Sequence, residues 1–98
     1  MKTPQELYDW LLEYINQRGG VYNEWYAGIA TAPRDRLFSD HNVNEDTGAW
    51  AYDFVATDEG ARAVEKALLE LGCDGGGGGG SDTTRAVYVY FKTSGTRP

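Results

Sequence analysis

The stretch Trp25–His41, WYAGIATAPRDRLFSDH, decides how the rest of the chain is read. Its first half alternates as a strand does: Trp25, Ala27 and Ile29 point to one side, Tyr26, Gly28 and Ala30 to the other. Then the pattern turns helical. Thr31 is of a type that caps a helix, Pro33 carries the fixed φ that a first turn accepts, and Arg34 to His41 supply the turns that follow. On that helix Leu37 and Phe38 face inward, and Arg36 sits on the flank close to the strand just left. A strand tyrosine and a helix arginine are thereby set side by side.

On the N-terminal side the spacing predicts a helix over 3–18. Thr3, Pro4 and Glu6 make a capping box, Leu7, Trp10, Leu11, Tyr14 and Ile15 recur at helical spacing, and Gly19 and Gly20 close it. The strand described above spans 24–30 and the short helix 32–41. The polar run from His41 to Gly48 is a solvated turn; Asp40, Glu45 and Asp46 lack the ligand spacing of a calcium loop. A strand over 49–56 sets Trp50, Tyr52 and Phe54 on one side and Ala51, Asp53 and Val55 on the other. Thr57 caps a helix over 57–72, with Asp58 and Glu59 where the helix dipole favours anions and a buried stripe of Ala61, Val64, Ala67, Leu68 and Leu71. Six consecutive glycines make 73–82 a flexible loop, since glycine loses the most entropy on ordering and has no side chain to bury. The last strand, 84–92, points Val87, Val89 and Phe91 one way and Tyr88 and Tyr90 the other, and 93–98 is expected to fray.

The order is α-β-α-β-α-β. It implies a single small α+β domain, a three-stranded, mainly antiparallel sheet packed by three helices, with the strand order left open.

At 98 residues the chain is large enough for one core. Nine basic and fifteen acidic residues give a formal charge of −6, so the overall field does not attract nucleic acid, and a local patch at Arg34, Arg36 and Arg62 would have to overcome it. One cysteine, Cys73, excludes an internal disulfide and fits a reducing compartment. With no signal peptide and no apolar run of membrane length, a cytoplasmic protein away from membranes is expected.

Tyr26-Ala27-Gly28, followed by Arg36 ten positions after the tyrosine and then Leu37, resembles the second half of the GIY-YIG nuclease motif. The resemblance covers roughly Tyr26 to Gly72. It implies that Tyr26, Gly28 and Arg36 converge on a phosphodiester while a glutamate from a later helix holds one divalent cation, Mg2+ or Mn2+. Ala63-Val64-Glu65-Lys66-Ala67-Leu68 is similar to the helix that carries that glutamate, which makes Glu65 the metal ligand. His41 falls one position later than the histidine of some members. The family's Gly-Ile-Tyr strand normally precedes the second tyrosine by about ten residues, whereas Gly20-Val21-Tyr22 stands only four before Tyr26, too close for a hairpin. A strand of the right character, Ala86-Val87-Tyr88-Val89-Tyr90-Phe91, lies at the other end of the chain, so the same sheet in a rearranged order would supply Tyr88 as the partner tyrosine.

In that reading a tyrosine helps take the proton of an attacking water, Arg36 stabilises transition-state charge, the cation stabilises the leaving oxygen, and His41 is a second proton carrier. Each residue also has an ordinary use. Strand tyrosines fill sheets, Arg36 can pair with Asp40, Glu65 with Arg62 or Lys66, and a histidine beside a polar loop is commonly exposed. The competing class is a non-catalytic acidic module, rich in Tyr and Trp, that docks on a basic protein partner.

Overall fold

The computed structural model describes residues 1–76, 81 and 83–98. Its elements are α1 (Pro4–Asn16), a 3-10 turn (Tyr22–Glu24), β1 (Trp25–Ala30), a π-helix (Asp35–Asp40), β2 (Trp50–Phe54), α2 (Asp58–Glu70) and β3 (Ala86–Phe91). The last strand is the central one. The sheet runs β1-β3-β2, and β3 is antiparallel to both neighbours. This is the mixed α+β domain with a three-stranded antiparallel sheet that the alternation predicts.

The period-two pattern of each strand sorts its side chains onto two faces. Trp25, Ala27, Ile29, Val87, Val89, Ala51 and Val55 join Leu7, Leu11 and Ile15 of α1 and Ala61, Val64 and Leu68 of α2 in the main core. The other face carries aromatic rows fixed by the register. Tyr26 lies opposite Tyr90 and Tyr90 opposite Trp50; Gly28 lies opposite Tyr88 and Tyr88 opposite Tyr52. On this face Leu37, Val43 and the half-buried Phe38 close a second, smaller core.

Local chemistry accounts for the ends of the helices. Thr3 accepts from the Glu6 amide while the Glu6 carboxylate accepts from the Thr3 amide, and this backbone contact, followed by that with the Thr3 hydroxyl, holds the Glu6 carboxyl below its ordinary range. Thr57 accepts from the Gly60 amide at 3.0 Å. α2 stops at Gly72, whose φ of +119° suits glycine, and the Cys73 amide donates back to the Leu68 carbonyl. Thr31 does not cap the short helix as its position suggests. Its hydroxyl meets Thr83 and Thr84 instead, at 3.3 and 3.4 Å, because the turn is drawn toward the start of β3.

The chain beyond α2 returns along the free edge of β1. The Asp74 amide donates to the Trp25 carbonyl and the Ala27 amide donates to the Asp74 carbonyl, both at 2.8 Å, so one residue pairs in parallel with Tyr26 and blunts that edge. Cys73 beside it is buried, and burial pushes its thiol up to about 11 against the opposing pull of Lys92. Of the glycine connection expected over 73–82, Gly77 to Gly80 and Asp82 lie outside the described residues. Among the described residues no helix is long and apolar enough to cross a membrane.

Two leucines near the end of α2, Leu68 within it and Leu71 just past it, separate burial from helix propensity. Leu68 is fully buried and Leu71 is 39% exposed. Leu68→Ala should cost about 2–5 kcal/mol in urea unfolding, through lost burial and a cavity, whereas Leu71→Ala should change stability by no more than about 0.5 kcal/mol.

Candidate functional site

Glycine at position 28 is what lets two tyrosines share one sheet face. A Cβ there would sit 2.4 Å from the Tyr88 hydroxyl oxygen, so the Tyr88 ring lies over bare backbone. The Tyr26 ring stacks on Tyr88 and Tyr90 with centroids 6.4 and 5.2 Å away. All three rings are buried.

The π-helix brings the histidine onto these rings. Its wider turn lets the His41 amide donate to the Arg36 carbonyl at 2.9 Å and seats the imidazole against Tyr26, ring centroids 4.6 Å apart. His41 is only 5% exposed, the opposite of what a histidine beside a polar loop suggests. Its Nδ1 lies 2.7 Å from the Arg97 carbonyl oxygen and its Nε2 lies 2.8 Å from the Tyr88 hydroxyl. A carbonyl can only accept, so Nδ1 carries the hydrogen. The neutral ring then has an acceptor at Nε2, and Tyr88 donates to it. The Tyr90 hydroxyl oxygen is a second neighbour of Nδ1, at 3.1 Å.

This clasp also corrects the expectation that 93–98 frays. The Arg97 amide donates to the His41 carbonyl at 2.7 Å, the Asn42 side-chain amide donates to the Gly95 carbonyl, and the Thr96 hydroxyl donates to the Thr93 carbonyl in a closed turn. The tail is held because a buried imidazole needs an acceptor for its Nδ1 hydrogen.

Arg36 stands at the rim of the cluster. Its Nε is 3.2 Å from the Asp40 carboxylate, the i,i+4 pair that the spacing allows, and its charge bears on the Tyr88 phenol. Burial raises the Tyr88 pKa, Arg36 opposes that rise, and Tyr26 and Glu65 add to it. Burial likewise raises Tyr90, with Tyr26, Tyr88 and Asp74 adding to the effect.

Glu65 comes from α2. It bears on Tyr88 through its field and takes no part in the hydrogen bonds around His41. Half-buried, its carboxyl is pushed above the ordinary range by burial, against the pull of Arg62. Tyr26, Tyr88 and His41 therefore form one contact cluster, and Arg36 and Glu65 bear on it through their charges. The acidic turn is spoken for: Glu45 pairs with Arg34, Asp40 pairs with Arg36, and the Asn44 side-chain oxygen accepts from the Asp46 and Thr47 amides. Among the described residues no three His, Cys, Asp or Glu side chains gather where they could hold a metal ion. Tyr90 and Arg97 are the members that sequence reasoning missed. The alternation of Tyr88 and Tyr90 was a signal for the first; nothing local marks the second.

Comparison with models of known protein families, with curated proteins and with solved structures returns no match.

Burial depresses the His41 pKa below its ordinary 6.5, with Arg36 adding to the effect and the Arg97 carbonyl and Asp40 opposing it. The unfolded chain therefore binds the proton more readily, and the histidine's contribution to stability is full above about pH 6.5 and is lost as pH falls toward the lower, folded value. Urea unfolding at about pH 7.5 and about pH 5 should show a lower midpoint in acid for the native chain, and His41→Gln should lose much of that difference.

Proposed function

We propose that this chain hydrolyses phosphodiester bonds of nucleic acid at a GIY-YIG-like site whose two tyrosine strands come in permuted order, Tyr26 on β1 and Tyr88 on β3. One observation carries the reading: Tyr26 and Tyr88 lie on adjacent antiparallel strands and stack on one face, with the Arg36 guanidinium beside the Tyr88 phenol. On this reading the strand that sequence order places last takes the part of the family's first strand.

The chemistry follows from the proton positions. Because the Tyr88 hydrogen is engaged by His41 Nε2, the phenol oxygen keeps lone pairs for an attacking water. The water loses its proton toward that oxygen as the phenolic proton moves along the hydrogen bond to Nε2. Arg36 supplies positive charge for the developing phosphorane-like oxygens, and Tyr26 holds the Tyr88 ring in place by stacking. Glu65 would hold Mg2+ or Mn2+. A half-buried lone carboxylate fits magnesium's habit of resting on one or two carboxylates plus water and substrate oxygens, and the ion would stabilise the leaving oxygen.

A second reading, an acidic module docking on a basic protein, is favoured by the formal charge of −6. A cytoplasmic setting accords with either reading, given a single cysteine kept buried.

The test is incubation of the full chain with branched, single-stranded and duplex nucleic acid in Mg2+ or Mn2+. At least one substrate should be cut, and Arg36→Ala and Glu65→Gln should each slow cutting by about a hundredfold or more while near-ultraviolet circular dichroism stays unchanged. All three substrates surviving both metals would sink the hydrolytic reading. Recovery in that case of a basic protein whose affinity falls with salt would favour the second.

A further inference from the structure

The aromatic column of β2 is unlike the tyrosines beside it. Tyr26, Tyr88 and Tyr90 are buried, whereas Phe54 is 36% exposed and Trp50 and Tyr52 are half-buried. The Trp50 and Tyr52 rings lie within 14° of parallel with centroids 6.0 Å apart, and Phe54 meets Tyr52 edge-on. The Trp50 indole donates to the Glu45 carbonyl at 3.0 Å, and Phe38 packs edge-on against Trp50. The Arg34 guanidinium sits 5.0 Å from the Phe38 ring centre and 5.8 Å from that of Trp50.

Two clefts join this column to the catalytic rim. One, of about 270 Å³, is walled by Arg34, Tyr52 and Phe54; the next, of about 310 Å³, is walled by Arg36 and Thr84. Thr31, Ala32 and Asp35 line both, so the two are segments of one groove.

We infer that this groove binds single-stranded nucleic acid, with an unpaired base against Tyr52 and Phe54 and the adjoining backbone led toward Arg36. The inference names the substrate class of the proposed hydrolytic site and rests on that reading for what the groove leads to. Charge selects the single strand. Duplex affinity is drawn mainly from many neutralised phosphates, and a chain of charge −6 offers two arginines here, each already beside a carboxylate, Glu45 or Asp40. Stacking on aromatic faces does not depend on net charge, yet it needs bases that are not paired. A basic protein is the poorer occupant, since a guanidinium stands in each segment of the groove.

The experiment is fluorescence anisotropy with the full chain in EDTA, which removes cleavage from the measurement. The probes are a labelled oligothymidylate and oligouridylate of about 12 nucleotides, a hairpin duplex and a lysine-rich peptide. At least one single-stranded probe should bind about tenfold or more tighter than the duplex, and Phe54→Ala and Tyr52→Ala should each weaken it about tenfold, with Phe54→Tyr retaining most of the affinity. The two single-stranded arms decide between DNA and RNA. Equal or tighter binding of the duplex, binding of the peptide alone, or indifference to Phe54→Ala in a chain whose circular dichroism is native would overturn the inference. A single strand that binds but is never cut with Mg2+ or Mn2+ removes the hydrolytic reading and leaves the groove standing. A duplex cut equally well by Phe54→Ala does the reverse.

Discussion

A neutral imidazole held between a carbonyl and a phenol is the constraint on which the rest of this face depends. His41 is almost fully buried, so each ring nitrogen must be satisfied from within the protein. The Arg97 carbonyl fixes the hydrogen on Nδ1, and that choice makes Nε2 the acceptor for Tyr88. The consequences run outward: the C-terminal segment is tied to the end of the π-helix, and the Tyr88 ring is pinned over Gly28. One tautomer thus links the tail, the short helix and the central strand.

The sheet makes this arrangement affordable. Because β3 lies in the middle, its Val87 and Val89 are sealed beneath α1 and α2 while Tyr88 and Tyr90 emerge on the opposite face. The main core therefore does not rely on the tyrosine face, and polar groups accumulate there. Glu65, carried by α2, bears on the site by its field and lies outside the hydrogen bonds that hold the tyrosines. Covered tyrosines at β1 and β3 give way to partly open rings at β2, so a single sheet face changes from closed to accessible along one direction.

Much of the fold was legible in the sequence because it follows from local rules. The capping box at Thr3 and Glu6, the cap at Thr57, the glycine stop at Gly72 and the alternation in each strand depend on near neighbours. What was not legible depends on distant ones. The central place of β3 is set by which faces must be buried together, and the π-helix by the fit of His41 against rings that arrive from the other end of the chain. Thr31 has a capping residue's chemistry, yet its hydroxyl turned to Thr83 and Thr84. Tyr26, Tyr88, Arg36 and His41 were found as residue types at suggestive spacings; the donor and acceptor roles that relate them came only from the distances. Arg97 contributes its backbone, which no side-chain pattern reveals.

The most direct measurement is the nitrogen-15 spectrum of the chain's single histidine at about pH 7.5. It should show a protonated Nδ1 and an unprotonated Nε2, with the Nδ1 hydrogen slow to exchange. A ring protonated at Nε2, or one averaging between tautomers as an exposed imidazole does, would contradict the account.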